Sequence, residues 1–414
     1  MKNIFRKLTL YSVALAAVSF SSCSLEENNP AGFTKENLAT SIEGYETLVN
    51  QCYFAMERYF YGTDSWMSLT EGDSDLWTYQ ANQSTSYTQW FWFFAGASPN
   101  TTYTNNWWNG TYDGVGSCNE AIALAGYAPY KTEAERNAKV AEARFLRALS
   151  YEYALDLYRN VPFVDENSPI GSIPPKQIMA ADLFNWIEKE LTECVEDMLE
   201  PAVGYNQDYG HANKAAAWAL LSRLYLNAET YVGLNKYTEC ITYAKKVIEV
   251  GYQLEPVYVD MFKADNHLSN EMIFPVRYEG DQTMTWGGMT AFLCWGATAT
   301  QDEVNAKGAW QGVRAKSSLY NLFLKESGSD ADTRKAMLRT DLTTSIEIID
   351  ENTFQNNGIP VTKYFNVNKD GTLPPSKEAY VDFPLFRLGE IYLTYAEAVL
   401  RGGQGGDRAT ALRY

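Results

Sequence analysis

Large aromatic side chains are concentrated in two stretches of the chain that have no sustained helical periodicity. Nine of the eleven tryptophans lie in residues 66–108 and 286–310, where Asp, Asn and Gln side chains surround them. A pyranose ring has an apolar C–H face that an indole or phenol ring can cover, and hydroxyl groups that carboxylates and amides can bind. We therefore interpret the two stretches as candidate sugar-binding loops.

The first of these loops contains both kinds of side chain within residues 71–92. Trp77, Tyr79 and Trp90 can cover the apolar faces of sugar rings, and polar side chains that include Asp75 can bind the hydroxyls. The alternative is that these aromatic residues pin the loop to the body of the protein, as large helical proteins often require.

The sequence offers little for catalysis or metal binding. Two histidines without ligand-like spacing argue against a Ser-His-Asp triad and against most histidine metal sites. Glu71, Asp73 and Asp75 could serve a helical-barrel glycoside hydrolase, but such enzymes usually take their two carboxylates from separate segments. Asp73 and Asp75 leave calcium open, although no complete calcium-binding loop is present. We predict no catalytic residue, no cofactor and no assigned metal site.

The N-terminus predicts attachment to lipid at Cys23. Three cationic residues precede the apolar run 8–20, which is too short to span a bilayer and is typical of a secretory signal. Two serines and Cys23 follow, which resembles a bacterial lipobox with Phe20 in the place usually held by Leu. We predict a lipoprotein signal peptide at 1–22 and a polar tether at 23–35. An ordinary secretory signal with an incidental cysteine is the alternative.

The charge balance restricts the class of partner. The full sequence has a formal net charge of −17. A body this acidic repels nucleic-acid phosphates and anionic lipid head groups. We therefore predict a neutral ligand and no nucleic acid partner, with the lipid as the only membrane anchor.

The cysteines do not indicate a disulfide framework. Six are present, no two form a CxxC pair, and five remain once Cys23 carries lipid. We expect most of the five to be small buried apolar residues. One disulfide among them is left open.

Hydrophobic periodicity predicts a mainly α-helical fold with long loops. Thr132 and Glu135 form a predicted capping box at the start of one helix. The helices over 212–229 and 236–250 are alanine-rich and resemble tetratricopeptide helix pairs. Residues 61–112 are expected to be loops, except that Trp107 and Trp108 lead into a short helix and are expected to pack.

The other predicted elements complete two regions, 36–250 and 251–414. The remaining predicted helices cover 36–60, 115–126, 132–158, 180–199 and 385–401, and strands are predicted near 271–278 and 361–367. The last residues have the texture of a new helix that stops abruptly, so we expect the second region to be truncated.

Four stretches together resemble the SusD/RagB family of surface glycan-binding lipoproteins. They are TYDGVGSCNEAI (111–122), AEARFLRALSYEYALDLYRNVPFV (141–164), NKAAAWALLSRLYLNAE (213–229) and FPLFRLGEIYLTYAEAVL (383–400). The acidic pair Glu26–Glu27 agrees, since it resembles the export signal of Bacteroidetes lipoproteins. Arg159 departs from the family, which usually has Gly there, and the segment that normally follows the last stretch is missing.

The resemblance implies a SusD-like fold with tetratricopeptide-like helix pairs and long ligand-binding loops. It implies a non-catalytic protein on the surface of the outer membrane that captures oligosaccharide and passes it to a SusC-like TonB-dependent transporter. Family members that carry peptides also exist, so the sugar, its linkage and even the ligand class are left open. A peptide-binding scaffold, with contacts on the helices at 214–250, is the second alternative.

The resemblance also guides the choice of ligand contacts. In the family, contacts come from a loop after a similar Asp and from a later aromatic loop. This choice favours Asp75, Trp77 and Tyr79 in the first loop, Trp286 and Trp295 in the second, and Tyr278 just before the second. The charged residues of the matching stretches are instead expected to be structural: Glu142, Arg144, Arg147, Arg387, Glu390 and Glu397.

Overall fold

The structure is a computed structural model that describes the greater part of the chain. The described residues are 34–55, 76–79, 102–169, 171, 174–283, 288–296, 302–308, 313–324, 332–349 and 357–414. The predicted signal peptide, Cys23 and nearly all of the tether lie outside them. Within these ranges, every helix is either too short or too polar to cross a membrane.

The described residues form a mainly α-helical body. Its helices are α1 (Lys35–Ala39), α2 (Ile42–Ala55), α3 (Thr102–Leu124), α4 (Glu133–Tyr158), α5 (Ala180–Cys194), α6 (Lys214–Leu226), α7 (Ala228–Val232), α8 (Tyr237–Glu249), α9 (Gly288–Gly296), α10 (Ser317–Leu324), α11 (Leu388–Leu400) and α12 (Arg408–Arg413). The strands are β1 (Trp77–Tyr79), β2 (Val161–Pro162), β3 (Gln177–Ile178), β4 (Met272–Val276), β5 (Val313–Ala315) and β6 (Phe383–Arg387). They pair antiparallel as β1–β5, β2–β3 and β4–β6.

The helices pack in a chain of neighbours around one large apolar core. α3 packs between α2 and α4, α4 also packs on α5, and α8 packs between α6 and α11. Alanines 216, 219 and 244 are buried in α6 and α8. Small side chains allow two helix axes to approach closely, so the predicted pairing of these two helices is confirmed.

Helix α3 begins earlier than the sequence predicts. The expectation of loops up to residue 112 is wrong, because the helix already starts at Thr102. Asn, Thr and Gly give this stretch low intrinsic helix propensity. Burial compensates for it: Trp107 is 1% exposed and its ring lies 5.4 Å from that of Tyr153. The prediction that Trp107 packs in the protein is therefore confirmed.

Helix α4 begins and ends as its sequence predicts. The Thr132 side chain accepts from the Glu135 N–H, and the Glu135 carboxylate accepts from the Thr132 N–H, which completes the capping box. At the other end, Arg159 has φ +63° and ψ −73°. The Asn160 N–H donates to the Tyr158 carbonyl at 2.8 Å, so Arg159 is the centre of a γ-turn of the rare strained type.

The start of the last long helix also differs from the prediction, because strand β6 precedes it. Residues 385–387 were expected to belong to the last long helix, but they pair with β4, and the helix starts at Leu388. The predicted strand near 271–278 is confirmed, whereas 361–367 makes only isolated bridges. Phe274 and Phe386 face each other across the ladder, with ring centroids 6.4 Å apart and both fully buried. This long-range contact decides the backbone state of FPLFR.

The six charged residues that are expected to be structural all form ion pairs within the body. Arg147 and Glu190 are buried partners that join α4 to α5, and Arg144 donates to Glu190 at 2.8 Å. The other pairs are Glu142 with Lys139, Arg387 with Glu271, Glu390 with Arg223 and Glu397 with Arg401. Each carboxylate is thereby satisfied within the body.

The five described cysteines are buried free thiols, at positions 52, 118, 194, 240 and 294. Burial raises the pKa of Cys194 and Cys240 to about 12, so both stay protonated at neutral pH. The expectation of small buried apolar residues is confirmed for these positions.

Candidate functional site

The backbone joins the two predicted aromatic loops. Strand β1, which carries Trp77 and Tyr79, pairs antiparallel with β5, so that Trp77 lies opposite Ala315 and Tyr79 opposite Val313. Strand β5 directly follows the second loop in the sequence, only three residues after Trp310. The pairing therefore ties the first loop to the end of the second across more than two hundred residues of chain.

A cleft of about 380 Å³ opens beside the chain segments that lead into both loops. We call it the Tyr209 cleft; it is lined by residues of α2, of the loop 209–211 and of the segment 275–283. Phe54 lies on its wall one residue before α2 ends, and Thr283 lies on its wall three residues before Trp286. A cleft of this size can hold one or two sugar rings.

Aromatic and polar groups alternate on the wall of the Tyr209 cleft. Phe54 is 46% exposed, and Tyr53 and Tyr209 add phenol rings. Arg277 pairs with Glu279, and its guanidinium lies 5.9 Å from the centre of the Tyr209 ring. The paired charges leave the wall close to neutral, which suits a neutral ligand with hydroxyl groups better than an ion.

Asp382 holds two walls of the cleft in place. It is 4% exposed, accepts from the Tyr209 hydroxyl at 2.6 Å, and accepts from the Tyr278 N–H at 2.8 Å. Burial raises the pKa of Asp382 to about 6, and the hydrogen bonds from Tyr209 and Tyr278 oppose that shift. One carboxylate thus couples the loop around Tyr209 to the segment that leads into the second aromatic loop.

A buried network supports the third wall. The Glu142 carboxylate, 1% exposed, accepts from the Tyr53 hydroxyl at 2.8 Å and lies 2.9 Å from Nδ1 of His211. Burial would raise the pKa of Glu142, but the hydrogen bond from His211 and the charge of Lys139 outweigh it and the pKa is lowered. The ionised carboxylate fixes α2 against the loop that carries Tyr209.

Gly210 makes the close approach of this loop possible. Its φ is +89°, and a Cβ built there would lie 2.3 Å from Cδ of Arg277. An L-residue would meet both an unfavourable backbone conformation and a steric clash. The glycine therefore lets Arg277 cross the cleft wall beside Tyr209.

The predicted ligand contacts are only partly within the described residues. Asp75, Trp90 and Trp286 lie outside them, while Trp77 and Tyr79 lie in β1 and Trp295 lies in α9. Tyr278 is 3% exposed, and this burial does not favour direct contact with a ligand. All seven stay predictions as ligand contacts, and so does lipid attachment at Cys23.

Sequence reasoning missed the loop that contains Tyr205 and Tyr209. Tyr205 is 58% exposed, and its ring lies 5.3 Å from that of Tyr209 and 5.2 Å from that of His267. The segment GYNQDYGH (204–211) combines aromatic, Asn, Asp and Gly residues as the two predicted loops do. The segment contains no tryptophan, so tryptophan content does not distinguish it from the other loops.

The helical body and its paired helices define the class of protein as a mainly α-helical fold, which solved structures of known proteins share. Surface glycan-binding protein A from Bacteroides fluxus superposes with a TM-score of 0.70 at 20% identity, over 90% of this chain and 80% of that one. The Bacteroides thetaiotaomicron protein of the same name, solved in complex with laminarihexaose, has a TM-score of 0.69 at 20% identity, over 90% and 82%.

The chain belongs to the SusD family. Residues 33–226 match a SusD-like family described as starch-binding associating with outer membrane, and residues 347–414 match the SusD family. The chain is 32% identical over 321 residues to the starch-binding protein SusD of Bacteroides thetaiotaomicron, which covers 67% of this chain and 57% of that protein. It thus spans little more than half the length of that relative. These relatives are named as binding proteins and not as enzymes, in agreement with the prediction.

Proposed function

We propose that the protein is a non-catalytic glycan-binding lipoprotein of the cell surface. It captures an oligosaccharide on the two aromatic loops and the Tyr209 cleft, and delivers it to a SusC-like TonB-dependent transporter in the outer membrane. Trp77, Tyr79, Trp90, Trp286 and Trp295 supply the aromatic faces. Asp75 bonds sugar hydroxyls.

The pairing of β1 with β5 is the observation that supports this proposal most strongly. Residues 77–79 and 313–315 are neighbours in space, so a strand within the first aromatic stretch lies beside the strand that follows the second stretch in the sequence. A sugar chain several rings long needs stacking partners on more than one segment, because each ring is held on its own face. The Tyr209 cleft, with its mixed aromatic and polar wall, lies beside the segments that lead into both aromatic stretches and offers further contacts for sugar rings.

The family relatives support a glycan as the ligand. One is named for starch, and a structural neighbour was solved with a laminarin hexasaccharide. Starch and laminarin are both neutral glucans, which agrees with an acidic protein that would repel anionic polymers. We therefore place neutral oligosaccharides first among candidate ligands.

The direct test uses tryptophan variants on a glycan array followed by calorimetry on the strongest ligand. Trp77→Ala and Trp286→Ala should each weaken binding about tenfold or more, since a stacking aromatic contributes on the order of 1–3 kcal/mol. Trp218→Ala is the matched control, because Trp218 lies on α6 with Lys246 over its ring and belongs to neither aromatic loop. Unchanged binding in both loop variants would instead favour the peptide-binding alternative.

Lipid attachment has its own test. Replacing Cys23 with Ser should abolish incorporation of a labelled fatty acid and release the protein from the outer-membrane fraction, while glycan binding by the purified chain stays intact. Retention in the membrane fraction without the label would contradict the lipid anchor. Association with the transporter would then be checked by co-purification of the tagged wild-type protein from outer membranes.

The proposal that the protein does not hydrolyse glycans can also be tested. Incubation of the protein with starch, laminarin and host glycans should produce no new reducing ends above a blank. Sustained turnover that disappears on substitution of Glu71, Asp73 or Asp75 would establish the hydrolase alternative.

A further inference from the structure

A second cavity lies on the helical body, formed by different elements from the Tyr209 cleft. It has a volume of about 320 Å³ and is lined by residues of α3, α4, α6, α7 and α11, with Asn227 between α6 and α7. Trp107, Tyr153 and Leu157 form its apolar wall. We call it the Glu152 cavity after the carboxylate at its base.

The wall of the Glu152 cavity carries an excess of negative charge. Glu152, Asp156 and Glu390 line it, against the single guanidinium of Arg223. That guanidinium is already engaged, because it donates to Glu390 at 2.7 and 3.0 Å and to the Leu385 carbonyl at 3.2 Å. Among the residues that the structure describes, Glu152 and Asp156 therefore remain without a cationic partner of their own.

Of the two carboxylates, Glu152 is more deeply buried than Asp156 and has the greater need of a hydrogen-bond donor. It is 2% exposed, and no Lys, Arg or His nitrogen lies within 4 Å of it in the part of the chain that the structure describes. The Tyr231 hydroxyl donates to Asp156 at 2.9 Å and is also close enough to Glu152 to lower its pKa, but it has only one proton to share between the two carboxylates. A buried carboxylate with so little donation costs free energy until a stronger donor or a proton reaches it.

Glu152 is only partly protonated in the folded protein at neutral pH. Burial raises the pKa of Glu152 to about 7; the carboxylates of Asp156 and Glu390 add to the shift, whereas Arg223 and the Tyr231 hydroxyl oppose it. The group is thus about half ionised at neutral pH. A cationic hydrogen-bond donor can therefore bind to Glu152 from solution, because removing the remaining proton from the carboxyl group costs little free energy.

We infer that the Glu152 cavity binds a small organic ammonium ion. The ammonium group donates to Glu152 and Asp156, and its carbon chain lies against Trp107, Tyr153 and Leu157. Aromatic rings favour an adjacent cation, and the acidic wall disfavours neutral or anionic ligands. A metal ion fits less well, since no group of three or more His, Cys, Asp or Glu side chains among the described residues is arranged to hold one.

The test compares two ligands of nearly equal shape, n-butylammonium and 1-butanol. Ligand-observed NMR titration of the purified chain at pH 8 should give saturable binding of the amine and at least tenfold weaker binding of the alcohol. Glu152→Gln and Asp156→Asn should each weaken amine binding about tenfold. Glu133→Gln is the control, an exposed carboxylate at the far end of the same helix, and should leave amine binding unchanged.

The pH dependence separates this site from nonspecific attraction. Butylammonium stays charged from pH 6 to pH 8. Its affinity for the wild type should rise about tenfold over this interval as Glu152 ionises, and Glu152→Gln should remove that rise. Asp156 lies at the exposed mouth, so Asp156→Asn tests the cavity even if the buried substitution disturbs folding.

Three results would overturn the inference. They are no saturable binding of the amine at millimolar concentration, equal binding of the alcohol, and amine binding that persists unchanged in both cavity variants. Because no glycan is involved, failure here leaves the proposed glycan function untouched. Loss of glycan binding in the loop variants would likewise leave the amine result intact.

Discussion

The hydroxyl of Tyr209 donates to the carboxylate of Asp382 at 2.6 Å, across 173 residues of sequence. Asp382 is buried, and it also accepts from the Tyr278 N–H. This single carboxylate joins a helix-connecting loop, the segment after β4 and the strand that precedes α11. The geometry of the Tyr209 cleft therefore depends on the Asp382 carboxyl group, whose pKa is raised above its usual value.

Stability should fall with rising pH because of Asp382. Its pKa is raised to about 6 in the folded protein, above the value of about 3.9 for an unfolded Asp. The folded state holds the proton more tightly, so the stabilisation is complete below about pH 4 and is lost as pH rises through about 6. A shift of about two units corresponds to about 3 kcal/mol.

Urea unfolding of wild type and Asp382→Asn at pH 4, 5, 6 and 7 measures this effect. The difference in unfolding free energy between the two proteins isolates Asp382 from other groups such as Glu152. A difference that stays constant over the whole range would show that Asp382 does not titrate there.

Gly210→Ala should destabilise the protein and weaken glycan binding. The new methyl group would meet Arg277 at 2.3 Å and would impose an L-residue on a φ of +89°. We expect a loss of about 2–3 kcal/mol, of which the backbone term is about 1 kcal/mol. Thermal unfolding and calorimetry with the array-selected glycan measure both consequences.

Gly233→Ala is the matched control for this substitution. Its φ is +73°, but nothing lies within 4 Å of the place that the new methyl group would take, so it should cost only the backbone term. Arg277→Ala combined with Gly210→Ala should recover part of the stability by removing the clash. Equal costs for the two glycine substitutions would mean that the contact with Arg277 has no energetic weight.

At position 159, glycine should give a more stable protein than alanine, which is the reverse of the usual order. At φ +63° an L-residue is strained, whereas glycine is not. Arg159→Ala keeps the strain and loses the hydrogen bond to the Leu155 carbonyl at 2.9 Å, whereas Arg159→Gly loses the hydrogen bond but relieves the strain. The glycine variant should be more stable than the alanine variant by about 1 kcal/mol, as measured by urea unfolding. An alanine variant of equal or greater stability would argue against a strained turn.

Phe54→Ala should weaken glycan binding without a large loss of stability. The ring is 46% exposed on the wall of the Tyr209 cleft, so its removal uncovers little of the core. We expect affinity to fall about threefold to tenfold, which corresponds to about 0.7–1.4 kcal/mol. Tyr127→Ala is the control, since Tyr127 is 55% exposed and lies beyond α3 rather than on the cleft. An unaffected affinity would remove the cleft from the proposed binding surface.

Arg147→Met should destabilise the protein strongly. Arg147 is 3% exposed and is the buried partner of Glu190, which would keep only Arg144. Loss of one member of a buried pair costs about 3–5 kcal/mol, so we expect about 3 kcal/mol in urea unfolding. Arg136→Met, which breaks an exposed pair with Glu133, should cost no more than about 0.5 kcal/mol. Similar small effects for both would show that the buried network is dispensable.

Some elements were predictable because their signals are local. The capping box at Thr132 predicts the start of α4, Pro162 predicts its end because proline disfavours α conformation at Val161, and the alanine-rich pair predicts α6 and α8. Capping and periodicity act within a few residues, so the sequence alone contains them. The family resemblance rests on these same helices, which explains why the fold class could be predicted.

Other elements were decided by contacts between distant residues. Helix α3 starts at Thr102 against its local propensity because Trp107 is buried on α4, and residues 383–387 form a strand because β4 lies beside them. The candidate site shows the same division. Composition identified the tryptophan-rich loops, but it did not indicate the loop around Tyr209 or the Glu152 cavity.

The sequence by itself determined the family, the helical class and the aromatic composition of the candidate loops, because propensity, periodicity and residue chemistry are local properties. Only the tertiary structure decided that β1 meets β5, that Tyr209 reaches Asp382, and that Glu152 is buried with no ion-pair partner among the described residues. Those relationships depend on which surfaces pack against each other, and burial then sets the pKa values and the shape of each cavity.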